Sequence, residues 1–184
     1  GRFREFYQCD VDITGTKSLV ADAEVCGAIA QVLRELGFEG FKILTNHREL
    51  LRALVADAGI PTEQESLALI ALDKLDKVGV EGVRKELAQK GVLEEQANAL
   101  LQSLDRMRED GALEKMCDGD GPAAVGAREL TELFRLASGG PAREHLTFDP
   151  TLARGLSYYT GPIFEIHVDG LGGSMGGGGR YDNL

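Results

Sequence analysis

The sequence is short of the residues that mark several common classes of protein. It has no tryptophan, five prolines and only 6% aromatic residues among 184 residues. Its three cysteines, Cys9, Cys26 and Cys117, lie far apart, and an odd number at such spacings suits neither a disulfide framework nor a zinc site. The three histidines form no metal-binding pattern with one another or with the cysteines. We therefore expect free thiols, no metal-binding residue and a cytoplasmic protein.

Long apolar runs and an excess of basic charge are also missing. No stretch of about 18 apolar residues occurs, so we expect neither a membrane span nor a membrane partner. The first residues, "GRFREFYQ", lack the apolar core and cleavage site of a signal peptide. The net charge of −10 disfavours a broad electrostatic grip on nucleic acid. It leaves open a local basic patch, or a nucleic-acid partner bound mainly by other parts of a longer protein.

What is present is an ordinary globular composition, with 43% hydrophobic residues. A chain of 184 residues can form one domain with a core, or a domain that carries a smaller insertion. The sequence begins without methionine, and it both begins and ends in the middle of a pattern. We therefore expect it to be a piece of a longer protein.

Alternation and helical periodicity divide the first 46 residues. Residues 3 to 13 alternate, with Cys9, Val11 and Ile13 on one face and polar side chains on the other, which predicts a strand. Its polar face is either a solvated surface or the floor of a ligand site. Residues 19 to 36 have helical spacing, and Gly37 is expected to end that helix. "GFKILTN", at positions 40 to 46, predicts a short strand.

From His47 to about Ser138 the patterns are helical throughout. Amphipathic helices are predicted at 47–58, 63–77, 80–90, 93–107 and 127–137, with "GDGPAAVG" at 119–126 as a glycine-rich link. Strand patterns return at 146–149 and 162–168, followed by a turn at 169–173 and a returning strand from residue 174. This order predicts an α+β fold in which an antiparallel sheet carries an all-α insertion. The predicted parts are 1–46 and 139–184 for the core and 47–138 for the insertion.

Polar residues near both ends of the chain are candidates for a ligand site. If the strands that carry them are neighbours, they form a pocket of arginines, phenols and carboxylates suited to a mixed-charge ligand. Glycines at 176 to 179 leave space that side chains would otherwise fill. No Walker A sequence, dinucleotide fingerprint or nucleophile–base pair is apparent, which favours positioning and charge stabilisation. The candidates are Arg2, Arg4, Gln8, Asp10 and Asp12 near the start, and Arg154, Tyr158, Tyr159 and Arg180 near the end.

Several stretches together resemble the histidyl-tRNA synthetase family. "GRFREFYQCDVDITG" resembles the latter part of class II motif 2 in that family, "LARGLSYYTGPIFE" resembles its histidine-specific signature, and "GGGGRYDNL" resembles its second signature. "TNHRELL" and "LDKLDKVGVEGVRKEL" are similar to its insertion domain. The resemblance covers nearly the whole chain. It implies the class II catalytic core, an antiparallel sheet flanked by helices.

The resemblance also implies a role for each candidate. Arg154 would stabilise charge where the carboxylate of histidine attacks the α-phosphate of ATP, two tyrosines would line the histidine site, and Asp12 would read the imidazole. By the resemblance, the catalytic residue is Arg154, the histidine-binding residues are Gln8, Asp12, Arg154, Tyr158 and Tyr159, and the ATP-binding residues are Arg2, Gly178, Gly179 and Arg180.

The implied partners are L-histidine, ATP with Mg²⁺, and tRNA(His), the last bound by the insertion and by a C-terminal domain absent from these residues. The full-length parent is expected to be a homodimer. Motif 1, motif 3 and the first part of motif 2 are also absent, so we expect the isolated fragment to be inactive. One alternative is a synthetase-like regulatory module, of the kind serving ATP phosphoribosyltransferase or found in a stress-sensing kinase. Another is an unrelated α+β domain with a glycine-rich hairpin.

Overall fold

The computed structural model of the chain describes residues 5–154 and 158–183. It combines a small sheet with helices, as the α+β prediction requires. The elements in chain order are α1 (Leu19–Glu35), β1 (Phe41–His47), α2 (Arg48–Asp57), α3 (Thr62–Leu72), α4 (Leu75–Gln89), α5 (Glu94–Met107), α6 (Ala112–Cys117), α7 (Pro122–Ala137), β2 (Leu146–Phe148), β3 (Pro162–Val168) and β4 (Gly176–Gly179).

The four strands lie in the order β2-β1-β3-β4. β3 runs antiparallel to both β1 and β4, which confirms the predicted hairpin at the end of the chain. The predicted antiparallel sheet also contains one parallel pair, because β2 runs parallel to β1. The helices α2 to α7 separate these two strands in sequence, and such a long connection lets the chain re-enter the sheet in the same direction.

One hydrophobic core joins the sheet to the helices. Helix α7 packs against α1, α2 and α6, and it also contacts β1 and β3. Ile43 in β1, Leu50 in α2 and Leu130 in α7 are completely buried in this shared core. The helical stretch therefore begins and ends with helices that belong to the same core as the sheet. The boundaries 1–46, 47–138 and 139–184 stay a prediction.

The helix predictions hold for α1, α2 and α5, and they differ from the structure at three places. The predicted helix 63–77 ends at Leu72, and α4 begins at Leu75 with non-helical backbone at Gly79. Ser18 caps α1 by accepting the backbone N–H of Val20, and Gly37 follows the helix at a φ of 86°. The short helix α6 was not predicted. Residues Pro122 to Gly126 belong to α7 and not to a link, because proline fits the first position of a helix.

The strand predicted at residues 3–13 does not form in the part of it that the structure describes. Residues 5–18 have no regular secondary structure, and every one of them is exposed. A strand needs a neighbouring backbone to satisfy its N–H and C=O groups. Within 5–154 and 158–183, no strand lies beside this segment.

Among the described residues, no helix is long and apolar enough to cross a membrane.

Candidate functional site

The hairpin of β3 and β4 forms the floor of the candidate site. Glu165 is paired with Gly177 and Ile163 with Gly179, and cross-strand partners of this kind point to the same face of a sheet. Two glycines at alternate positions therefore leave one face of β4 bare. Two site side chains occupy the bare strip.

Arg154 occupies the space over Gly177. A β-carbon at that glycine would lie 2.7 Å from the Cζ atom of Arg154 and 2.8 Å from the carbonyl oxygen of Phe164. The Nη1 atom of Arg154 donates to that same carbonyl at 3.4 Å and to Oε2 of Glu165 at 3.2 Å. The glycine is therefore required for the arginine to reach its position.

A buried asparagine holds the segment that leads to this arginine. The side-chain amide of Asn46, in β1, donates to the carbonyl oxygens of Pro150 at 3.1 Å and Leu152 at 2.9 Å. Asp149 closes the preceding turn by accepting the backbone N–H of Thr151 at 2.8 Å. Asparagine is uncommon inside a buried strand, so Asn46 within "FKILTNH" was the sequence signal for this contact.

Tyr159 lies over Gly179, where a β-carbon would come within 2.7 Å of its ring. Its ring contacts that of Tyr158, with centroids 4.6 Å apart and a tilt of 55°. Tyr159 is buried, whereas Tyr158 is 41% exposed. Burial, together with a hydrogen bond to Tyr158, raises the pKa of Tyr159, so its phenol stays neutral at physiological pH.

Two carboxylates border the arginine and were not predicted as site residues. Glu165 accepts from Arg154 through one oxygen and meets Nε2 of His167, at 2.8 Å, through the other. Asp73, just after α3, lies within electrostatic reach of Glu165 and Arg154. Burial and the negative charge of Glu165 raise the pKa of Asp73. Glu165 and His167 are two residues apart in the strand pattern of 162–168 and so share one face, which was the available sequence signal.

Arg180 is engaged in ion pairs inside the fold. Its guanidinium pairs with Asp22 in α1, and its Nη1 lies 3.8 Å from Oε2 of Glu129 in α7. Glu129 is also 3.0 Å from Nε2 of His47. Nδ1 of His47 accepts the backbone N–H of Glu49 at 3.1 Å, so the ring proton lies on Nε2 and is donated to Glu129. Burial lowers the pKa of His47, which keeps this imidazole neutral.

Gly178 and Gly179, two of the other predicted ATP-binding residues, lie on opposite faces of β4. Gly179 is covered by Tyr159, whereas a β-carbon at Gly178 would meet nothing within 4 Å, on the opposite face of β4. Arg2 and Arg4 lie outside the described residues. The ATP-binding roles of Arg2, Gly178, Gly179 and Arg180 stay predictions.

The two predicted histidine-site residues near the start of the chain lie on the exposed segment. Gln8 and Asp12 are both exposed. Asp12 accepts a 2.6 Å hydrogen bond from the phenol of Tyr181, and this bond raises the pKa of Tyr181. The contact joins the start of the chain to the residue after Arg180. It does not bring Asp12 into contact with Arg154 among the described side chains.

The assembled site can bind an anion beside the two phenols. Arg154 is about four-fifths buried, and its Nε atom is buried without a partner in the part of the chain that the structure describes. A buried donor left without a partner is costly unless a ligand accepts from it. In the same described part, no three His, Cys, Asp or Glu side chains come together to hold a metal ion.

Known proteins similar to this chain point to one family. A family model described as histidyl-tRNA synthetase matches residues 1–184. The histidine–tRNA ligase of Gloeobacter violaceus is 42% identical over 190 residues, which cover 100% of this chain and 40% of that protein. The cytoplasmic histidine–tRNA ligase of Dictyostelium discoideum is 40% identical over 198 residues, with the same two coverages. The chain thus spans about two fifths of the length of these relatives.

Solved structures agree with the sequence matches. The histidyl-tRNA synthetase from Nostoc sp. PCC 7120 has a TM-score of 0.78 at 27% identity, covering 92% of this chain and 42% of its own. A Bacillus halodurans protein described as an ATP phosphoribosyltransferase regulatory subunit/histidyl-tRNA synthetase has a TM-score of 0.75 at 26% identity. It covers 91% of this chain and 44% of its own.

Proposed function

Because this chain belongs to the histidyl-tRNA synthetase family, we propose that it is the histidine-activating part of a histidine–tRNA ligase. One observation carries the proposal: Arg154 and Tyr159 lie side by side over alternate glycines of β4. This places a buried cation beside two phenols, an environment suited to a mixed-charge substrate that bears a carboxylate.

The reaction follows from the charge at that position. An oxygen of the histidine carboxylate attacks the α-phosphate of ATP, the bond between the α-phosphate and the bridging oxygen breaks, and pyrophosphate leaves. Negative charge gathers on the α-phosphate during this step. A guanidinium held in advance stabilises that charge without having to reorganise, so catalysis is by positioning and electrostatics. The hydroxyl of the tRNA end then attacks the histidyl carbonyl, and AMP leaves.

The selectivity for histidine is assigned to four residues. Tyr158 and Tyr159 line the side-chain pocket, Gln8 meets the polar backbone end of the amino acid, and Asp12 accepts an imidazole N–H. A competing apolar amino acid would leave the Asp12 carboxylate unpaired, which is the strongest kind of discrimination available to a binding site. This role requires segment 5–18 to approach the hairpin more closely than the hydrogen bond from Tyr181 to Asp12 now holds it.

ATP enters this proposal as a substrate, and Mg²⁺ enters with it. The described residues gather no set of metal ligands, so the ion is expected to be held by the phosphates of ATP. No step above depends on it. Arg2 would meet the ATP phosphates, and Gly178 and Gly179 would let the nucleotide approach the backbone of β4.

The remaining proposals concern the whole protein. They are a homodimer, a cytoplasmic location, and tRNA(His) bound partly by residues 47–138 acting as an inserted domain. Support for the last is limited to the family match, because the helical stretch carries mixed charge. Removing residues 47–138 is a poor test, since α2 and α7 share the core with the sheet. The isolated 184-residue chain is proposed to be inactive, because it spans only 40% of a matched ligase.

A regulatory module is the second candidate, favoured by the similarity to the Bacillus halodurans protein whose description includes a regulatory subunit. The synthetase is better supported. Relatives at about 40% identity are named histidine–tRNA ligases, and all the predicted histidine-site residues are present. A regulatory module would bind histidine without forming the adenylate.

The test is histidine-dependent exchange of pyrophosphate into ATP by the full-length protein that carries this chain. Arg154→Ala is expected to lower kcat by about 100- to 1,000-fold, the effect of losing one preplaced donor to a developing charge. The control is Arg135→Ala, which removes an exposed arginine that pairs with Glu132 on the same helix, α7. Histidine binding by a parent that exchanges no pyrophosphate would establish the regulatory reading instead.

A further inference from the structure

We propose that Glu165 is the positioning residue of this site: its carboxylate sets the orientation of the Arg154 guanidinium, and His167 holds that carboxylate in place. The inference rests on the proposed function, in which Arg154 meets the carboxylate of histidine and the α-phosphate of ATP. It adds a residue whose action on the reaction passes through another side chain.

The geometry gives each carboxylate oxygen of Glu165 one task. Oε2 accepts from Nη1 of Arg154 at 3.2 Å, and Oε1 lies 2.8 Å from Nε2 of His167. The side chains of Arg154 and Glu165 are 21% and 22% exposed, so water screens their interaction only partly. A carboxylate tied at both oxygens cannot rotate freely, and the guanidinium it holds is fixed with it.

The strand register explains why this pair forms. Glu165 and Gly177 are direct partners across β3 and β4, so the guanidinium over Gly177 lies beside the Glu165 side chain on the same face. The carbonyl of Phe164 accepts from the same Nη1 atom at 3.4 Å. One edge of the guanidinium is thereby used for anchoring. Nε, on another edge, is buried and has no partner among the described residues, which leaves it available to a ligand.

Other charged side chains lie around the pair of Arg154 and Glu165. Asp73 lies within electrostatic reach of both members, and Lys74 and Lys77 act on Asp73 in turn. Asp73 makes no hydrogen bond to Arg154 within the described part of the chain, so Glu165 is the carboxylate in direct contact. Loss of Glu165 would leave the arginine free to swing towards Asp73 and away from the substrate.

A purely structural ion pair is the competing explanation, and the experiment separates the two. Glu65 is the matched control, because its carboxylate is 15% exposed and binds two arginines, Arg48 at 3.3 Å and Arg52 at 3.2 Å. Neither of those arginines belongs to the proposed site. Thermal stability, histidine affinity and pyrophosphate exchange are measured for the full-length protein and for Glu165→Ala, Glu165→Gln and Glu65→Ala.

If Glu165 positions Arg154, Glu165→Ala should lower kcat by about 10- to 100-fold and change the Kd for histidine by less than about threefold. Glu165→Gln keeps an acceptor for Nη1 and is expected to have a kcat between those of Glu165→Ala and the unsubstituted protein. If Glu165→Ala does not fold, Glu165→Gln still tests the inference. Glu65→Ala should lower the melting temperature without lowering kcat. Equal kcat values for Glu165→Ala and Glu65→Ala would overturn this inference and leave the proposed function standing. Absence of exchange by the unsubstituted protein would overturn the proposed function, and the inference with it.

Discussion

Predicted histidine-site residues lie on the exposed segment 5–18 and over the hairpin 162–179, and these two regions differ in almost every physical respect. In the hairpin, β3 pairs with β1 on one side and with β4 on the other. Side chains cover the glycine face of β4. The segment has no regular structure and is exposed along its length. A hydrogen bond from Tyr181 to Asp12 links the segment to the residues that follow the hairpin.

The difference shows what each half requires. The hairpin is built from contacts between residues close in sequence, because 162–168 and 176–179 are joined by the short connection 169–175. Segment 5–18 carries a good strand pattern but finds no partner backbone among the described residues. An alternating sequence supplies the side chains of a strand, and a neighbour must supply its hydrogen bonds.

The largest expected difference between a buried part of the chain and the exposed segment is in thiol reactivity. Cys9 is exposed within the segment, whereas Cys26 is completely buried in α1, where burial raises the pKa of its thiol to about 12. At pH 8 only about one Cys26 thiol in 10,000 is then ionised, so iodoacetamide should label Cys9 at least about 1,000-fold faster. Peptide mass spectrometry of the native protein measures both rates. Denaturation in urea is the control, and it should make the rates similar; slow labelling of Cys9 would show that the segment packs.

A single methyl group should break the glycine face of the hairpin. Gly177→Ala places a β-carbon 2.7 Å from Cζ of Arg154 and 2.8 Å from the carbonyl of Phe164, so the guanidinium must move. We expect pyrophosphate exchange by the full-length protein to fall by about 100-fold. Gly172→Ala is the matched control, in the connection between β3 and β4, and its β-carbon meets nothing within 4 Å. Equal activities of the two variants would contradict the placement of Arg154.

The smallest effect is expected where the two regions touch. Tyr181→Phe removes the donor to Asp12 and leaves the ring in place. Since the bond is exposed, we expect the KM for histidine to rise by about two- to fivefold with little change in kcat. Tyr7→Phe, at a fully exposed tyrosine of the same segment, is the control. A kcat effect as large as that of Gly177→Ala would mean that segment 5–18 takes part in the chemical step.

Sequence reasoning reached the hairpin but not the partners of its arginines. The spacing of glycines and the alternation of β3 predicted the strands and the turn, whereas polar clustering and the family resemblance pointed to Arg154, Tyr158 and Tyr159. Glu165 was placed on the correct strand without a role. The pairing of Arg180 with Asp22 was out of reach, because those residues are separated by 158 positions in the chain. Contacts over such separations depend on how α1 and α7 pack around the sheet.

The sequence by itself determined the local elements: the periodicity of the helices, their glycine and proline boundaries, the glycine-bare face of β4 and the family to which the chain belongs. The local elements follow from interactions within a few residues, which a single chain segment contains in full, and the family follows from signatures read directly in the sequence. Only the tertiary structure decided that β2 runs parallel to β1, that residues 5–18 stay unpaired, and that Arg154 is anchored while Arg180 is engaged elsewhere. Strand pairing and buried ion pairs join distant segments, and their geometry exists only once those segments are packed together.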